Sequence, residues 1–448
     1  MPSPMRLANF TCITRIPLLV KEALPKPSPT SSPASVTARQ WWTHVRTSDT
    51  VRYFIGKGAY LMPLNFLGQA LGFVSAILYA HFLSPAQYGR YSYVYSTVGV
   101  LSFLSLPGIA TAITQAAAQD FDGFFSRGTR VRLRFSLVGC IAIVAIGFAC
   151  WRSKGNEIMI SFLLAAVLFP FFYAMDSFWS VLSAKKQFER LATFRAIQML
   201  CVASMTWTVV VLTQWIPLVF LANFGTTALT NLIFYRWTLR HQIHNDRVRP
   251  DSLGYGKRLS VLNVLYSIES RIDNVMLGTF LPFQTLGWFT MADRLDDAST
   301  KGLWTITSQM LFPRLAEVNE AEARRRVRVW GVYFWAGFLV VALLFWLLAP
   351  WVLPIILGSK YQKSIELAKW LVLFAAIGTP AAVFEVYCQA RVAEKSLWLL
   401  RISMTAAHLG TLPWMLKLWG VYGVVASISV SRVVPMLASF LLFKARVR

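Results

Sequence analysis

The residues with most chemistry to offer sit where charge is expensive. Glu269, Arg271 and Asp273 lie near the middle of one long apolar stretch, and Asp293, Arg294, Asp296, Asp297 and Lys301 lie in the next. A charged side chain at a bilayer centre costs about 2.5–3.5 kcal/mol on insertion scales, so such groups face a hydrated cavity or a partner. At about 100° per residue Glu269 and Asp273 share a helix face, while Arg271 points about 160° from Asp273. One of these faces is expected to border a cavity and the other to meet a neighbouring helix. Asp293, Asp297 and Lys301 follow i, i+4, i+8 spacing, with Arg294 beside them and Asp296 on the opposite shoulder. Two readings stay open: a cavity wall that contacts a polar substrate or a coupling ion, or a self-neutralising stripe that locks two helices together.

Ionisable residues are sparser elsewhere. Asp176 and Arg195 stand out in the first half, with Asn65, Gln69 and Gln115; Glu385, Arg401, His408 and Arg432 follow in the second. Arg195, Arg401 and Arg432 sit near enough to segment ends to snorkel, whereas Asp176 and Glu385 lie deeper. The five cysteines form no CxxC pair, and His241 and His244 lie in a basic loop. No metal or disulfide framework is expected, and no cofactor.

The elements that must hold these charges are membrane-spanning helices. The chain is 56% hydrophobic and 14% charged, with a mean hydropathy of +0.51. Soluble domains are about 25% charged. Twelve apolar segments, each able to cross about 30 Å of hydrocarbon, are placed at 59–80, 91–116, 133–151, 158–182, 191–213, 215–236, 258–281, 286–312, 328–349, 365–390, 396–416 and 420–443. The loops are too short for an extramembrane catalytic domain, which needs at least about 50 residues; an enzyme is not expected. A basic, Pro/Ser-rich tail (1–51), expected to be disordered, precedes an N-terminal lobe (52–240), a cytoplasmic linker (241–257) and a C-terminal lobe (258–448).

The net charge of +24 would suit nucleic acid, but its distribution excludes that reading. Loops after even-numbered segments and the C-terminal tail carry about 23 Lys and Arg against about six in the others, the bias that marks the cytoplasmic side. Arg127, Arg130, Arg132 and Arg134 are read as the loop after the second segment. Both termini are thus expected in the cytoplasm, with the basic loops on anionic headgroups.

The chain also nearly repeats itself. Phe82-Leu83-Ser84-Pro85-Ala86-Gln87-Tyr88-Gly89-Arg90-Tyr91-Ser92 aligns with Phe280-Leu281-Pro282-Phe283-Gln284-Thr285-Leu286-Gly287-Trp288-Phe289-Thr290, about 200 residues on. Both copies end one apolar helix and begin another through Pro and Gly. Two similar halves suit a transporter, because halves can rock about a central site.

These landmarks resemble the polysaccharide flippases of the multidrug/oligosaccharidyl-lipid/polysaccharide exporter superfamily. The first repeat copy, led by Ala80-His81, is similar to that family's opening signature, with His81 for its usual basic residue. Ile272 to Gly278, Leu286 to Leu295, Leu311-Phe312-Pro313-Arg314-Leu315, Gly358-Ser359-Lys360-Tyr361 and Trp419 to Ala426 fit its later landmarks, in order over about residues 52–448. The acidic density at Asp293, Asp296 and Asp297 departs from that family's mainly cationic cavity.

The resemblance implies an all-α polytopic protein with two pseudo-symmetric six-helix lobes around a central, partly hydrated cavity. It implies flipping of an undecaprenyl-pyrophosphate-linked oligosaccharide across the bacterial inner membrane by alternating access, alongside other polysaccharide-assembly proteins. A pyrophosphate calls for Arg or Lys, which makes Arg195, Arg271, Arg294 and Lys301 the basic candidates. Asp176, Glu269, Asp273, Asp293, Asp297 and Glu385 are the acidic ones, for sugar hydroxyls, protons or a coupling cation. A cation-coupled exporter of small amphipathic molecules is the alternative reading. A scaffold or polymerase subunit fits less well, given the charged helices and short loops.

Overall fold

Among the described residues twelve rods follow one another in the expected order, several of them bent or assembled from shorter helices. The computed structural model describes residues 61–445 apart from Glu317 and Val392; the expected tail over 1–51 lies outside the described residues. The first rod is α1 (Leu61–Phe82). The second joins α2 (Pro85–Val100) through a 3-10 turn at Leu101–Ser105 to α3 (Gly108–Ala117), with a 51° bend. Leu106 takes a left-handed φ of 53° at that bend, and Pro107 removes the donor a continuous helix would need. Next come α4 (Phe124–Lys154), then a rod of α5 (Asn156–Tyr173), a 3-10 turn at Met175–Ser177 and α6 (Phe178–Ala184). The first half closes with α7 (Phe188–Leu212), and with α8 (Ile216–Phe220) running through a π turn into α9 (Thr226–His241).

In the second half the seventh rod is broken into α10 (Ser252–Glu269) and α11 (Ile272–Phe280). It is followed by α12 (Phe283–Ala316), α13 (Glu320–Leu357), α14 (Gln362–Ala390), α15 (Glu394–Trp419) and α16 (Val421–Ala445). Among the described residues eight helical stretches are long and apolar enough to cross a membrane, nine when the bent second rod counts as one. The other three rods, α10–α11, α12 and α15, are those whose charges lower their hydropathy. At 1.5 Å per residue the 38-residue α13 is about 57 Å long, more than a bilayer's hydrocarbon. It turns Trp351 (78% exposed) and Ile355 (83%) outward, a lipid-facing surface.

One expectation changes. The third segment begins at Phe124 rather than 133, so Arg127, Arg130, Arg132 and Arg134 all belong to helix α4 and not to a loop. Pro217 falls in the first turn of α8, where proline fits without kinking anything; Pro170, Pro380 and Pro435 do lie inside helices.

The repeat becomes the contact between the lobes. Ser84 starts α2 with a capping box: its hydroxyl accepts from the Gln87 amide at 3.3 Å, and the Gln87 side chain accepts from the Ser84 amide at 2.9 Å. From there α2 crosses the first turns of α12. A Cβ on Gly89 would sit 1.8 Å from the carbonyl oxygen of Phe283, and one on Gly287 would sit 1.8 Å from that of Pro85. In lipid, helices gain little from the hydrophobic effect and associate through close packing, so small residues mark the tightest crossings. Lys154, at the end of α4, donates to the Gly278 carbonyl and lies 4.7 Å and 4.9 Å from the ring centres of Tyr93 and Phe283. The Tyr361 hydroxyl donates to the Leu83 carbonyl at 3.3 Å. Toward the opposite end α3 packs on α10, where the Gly108 amide donates to Ser260 Oγ at 3.0 Å.

Candidate substrate site between the lobes

The break in the seventh rod sets the first site residue. Arg271 leaves helical geometry (φ −142°, ψ −2°) between α10 and α11. Its guanidinium crosses to the other lobe and lies 5.0 Å from the ring centre of Tyr95. The stem runs over Gly99, where an added Cβ would meet the Arg271 side chain at 2.4 Å. Cation–π contacts of this kind contribute about 0.5–2 kcal/mol, more when desolvated.

Arg294 comes from α12 and lies close enough to Tyr88 to interact with it electrostatically, with Tyr79, Tyr91, Tyr95 and Asp293 in its surroundings. Tyr88, Tyr91 and Tyr95 follow i, i+3, i+7 spacing and form one stripe on α2. Tyr88 and Tyr91 have ring centres 6.5 Å apart, Tyr91 and Tyr95 6.0 Å, both pairs stacked. Tyr79 of α1 closes on Tyr88 at 5.5 Å. Two guanidiniums of the second lobe thus meet a tyrosine stripe of the first.

The carboxylates of the seventh rod turn the other way. Thr405 donates to Glu269 Oε2 at 2.8 Å, and His408 Nε2 lies 2.9 Å from Asp273 Oδ1. Thr405 and His408 share a face of α15, so α15 meets both acids at once. Ser427 of α16 donates to the His408 carbonyl at 3.1 Å. Asp296, 2% exposed, pairs with Arg432 at 2.5 Å, and Arg432 also donates to the Leu371 carbonyl at 2.5 Å. This network knits α10, α11, α12, α14, α15 and α16 into one lobe. A buried pair broken on one side leaves an uncompensated charge, which costs about 3–5 kcal/mol.

The remaining candidates scatter. Asp176 is held by Arg132 at 2.6 Å. Arg132, 1% exposed, also donates to the Ser105 carbonyl at 3.2 Å, to Ser177 Oγ at 2.8 Å and to the Tyr173 carbonyl. One guanidinium therefore pins both 3-10 turns of the first lobe. Arg195 is exposed and lies 5.9 Å from the ring centre of Trp179 within its own lobe. Glu385 pairs with Arg401 at 3.1 Å. Asp293 and Asp297 are half-buried on α12, and the side chain of Lys301 lies outside the described residues. Sequence reasoning missed Arg132, which it had assigned to a loop, and the tyrosine stripe, whose helical spacing was there to be read.

A family model described as a polysaccharide biosynthesis protein matches residues 78–366. No curated protein matches the chain. Among solved structures, an inward-facing multidrug resistance MATE family transporter of the MOP superfamily is 16% identical, with a TM-score of 0.64, over 85% of this chain and 94% of that one. The lipid II flippase MurJ in an inward closed conformation is 12% identical, with a TM-score of 0.65, over 85% and 86%. The Vibrio cholerae MATE transporter VcmN in its bent form is 12% identical, with a TM-score of 0.52, over 88% and 98%. Identities this low speak to the fold, which this chain shares with all three.

Proposed function

This chain belongs to the polysaccharide biosynthesis protein family, and from that premise we propose that it flips a polyprenyl-pyrophosphate-linked oligosaccharide across the bacterial inner membrane. The observation that carries the reading is the approach of Arg271 and Arg294 to the tyrosine stripe of the opposite lobe. A pyrophosphate is a bidentate, multiply charged anion that guanidinium groups match in shape and charge. Tyrosine rings beside them offer flat apolar faces and hydroxyls to sugar rings. The polyprenyl tail stays in lipid, where its transfer costs nothing.

The lobe contact supports alternating access. The lobes meet closely where α2 and α12 begin, and basic loops at the opposite end orient that closed end toward the periplasm. Parting of this crossing while the opposite end closes exposes the arginines to each side in turn. Both termini then lie in the cytoplasm. The MurJ neighbour, named a lipid II flippase, supports a lipid-linked cargo.

The test is a lipid analysis with radiolabelled sugar in a strain lacking this gene, with leaflet sidedness assayed in vesicles. The lipid-linked oligosaccharide is expected to accumulate on the cytoplasmic face, with relief by the wild type but not by Arg271→Ala or Arg294→Ala. Normal lipid intermediates together with lost efflux of amphipathic cations would instead establish a cation-coupled exporter.

A further inference from the structure

Lys154 is the last residue of α4 in the first lobe, and its ammonium reaches the end of α11 in the second. There it donates to the Gly278 carbonyl and lies 4.7 Å and 4.9 Å from the ring centres of Tyr93 and Phe283. That carbonyl has no helical donor. The amide four positions on would belong to Pro282, which has none. The carbonyl before it, of Leu277, is taken by the Leu281 amide at 2.8 Å. A lysine of one lobe thus caps the negative end of a helix in the other.

The ammonium itself is served less well, by one carbonyl and two ring faces without a countercharge. Of the two carboxylates at this end among the described residues, Glu157 pairs with Arg90 at 2.7 Å and Glu366 faces Tyr422. The other cations here are placed differently. Lys363 lies 4.4 Å from the ring centre of Trp288 and Lys369 5.2 Å from that of Trp346, both within the second lobe. Arg152, Lys360 and Lys417 are exposed.

Parting the lobes at this end must break the cap, which strands a carbonyl and a half-buried ammonium. Entering water can serve the carbonyl, whereas an anion makes the stronger bond to the ammonium. Gly278 stands seven positions along α11 from Arg271, about 10 Å at the helical rise and toward the lobe crossing.

Resting on the transport reading above, we propose that Lys154 is a latch released by the cargo. It holds the periplasmic end shut on Gly278 until the pyrophosphate, arriving from Arg271, takes the ammonium and frees the carbonyl. Arg271 and Lys154 are then successive stations for one anion on its way out.

The test uses the full-length protein in phosphatidylcholine vesicles, carrying Ser92→Cys and Thr290→Cys, which face each other across the same crossing. Cross-link yield on mild oxidation reads closure of that end. Added undecaprenyl pyrophosphate is expected to lower the yield, and added phosphatidylglycerol to leave it unchanged. Lys154→Met keeps the stem and drops the charge. It is expected to lower the yield without added lipid and to abolish the response to undecaprenyl pyrophosphate. In the sidedness assay it is expected to slow flipping about tenfold, the size of one lost charge-assisted hydrogen bond. Lys154→Arg is expected to keep the response, and Lys154→Gln replaces the Met variant should that lose monodispersity. A lowered resting yield with undiminished flipping would make Lys154 a seal and no station for the cargo. An equal response to phosphatidylglycerol would assign the ammonium to a phospholipid headgroup, and an unaltered response in Lys154→Met would remove it from the path. Each of these overturns the proposal. The transport reading fails separately, when the strain lacking the gene shows normal lipid intermediates.

Discussion

Ser92 Oγ lies 2.9 Å from Thr290 Oγ1, and the two residues stand 198 positions apart, at matching places in the two repeat copies. The pseudo-twofold relation between the lobes therefore passes through this buried hydroxyl pair. On either side of it the glycines act reciprocally, Gly89 against the Phe283 carbonyl and Gly287 against that of Pro85. A crossing built from equivalent residues can act as a seal to which both lobes contribute alike.

The pair offers a lock. Ser92→Cys with Thr290→Cys is expected to form a disulfide under mild oxidation, since the side-chain oxygens already approach within hydrogen-bond range and Cβ atoms need only about 3.5–4.5 Å. Transport is expected to stop on oxidation and return with reductant. Rapid cross-linking with undiminished transport would mean that this end does not open.

The glycines should be intolerant in a reciprocal way. Gly89→Ala and Gly287→Ala each push a methyl group into a backbone carbonyl that cannot swing aside. Either substitution is expected to lower the yield of the Ser92→Cys/Thr290→Cys cross-link, measured by mobility on gels, and both by similar amounts. A loss at only one glycine would count against a seal shared equally by the lobes.

Arg271 should resist conservative exchange. Lysine lacks the planar fork that lies on Tyr95 and would bind a phosphate bidentately. Arg271→Lys is expected to reduce flipping about tenfold, equivalent to about 1.4 kcal/mol, with Arg271→Ala lower still. Gly99→Ala, which crowds the arginine stem, is expected to mimic it without removing a charge. Sidedness assays in vesicles decide this.

Asp296 and Arg432 should behave as a unit. Arg432→Met leaves Asp296 buried without its partner and is expected to destabilise the second lobe by about 3–5 kcal/mol. Adding Asp296→Asn should restore much of that loss. Thermal unfolding of the four proteins in detergent gives the coupling directly; additive effects would show that the pair contributes no more than its separate members.

The rods were legible because their signal is local. Long apolar runs, a capping box at Ser84 and Gln87, and prolines and glycines at fixed places act within a few residues of themselves. So did the seventh rod's facing: Glu269 and Asp273 look one way and Arg271 another. Arg132 was misread because charges there suggested a loop, whereas the ligands that make its burial possible, Asp176 and the carbonyls of Ser105 and Tyr173, lie 27 to 44 residues away.

The chain by itself determined its class, its order of helices and the repeat that becomes the lobe crossing, since each is written in nearest-neighbour chemistry and period. Which charge meets which was decided only in three dimensions. Asp273 finds His408 across 135 residues, and Asp296 finds Arg432 across 136. Neither partner choice leaves a trace in spacing, because the cost of a charge in lipid demands a partner without naming it. The tertiary structure names those partners, and in doing so brings Arg271 and Arg294 to the tyrosines of the other lobe.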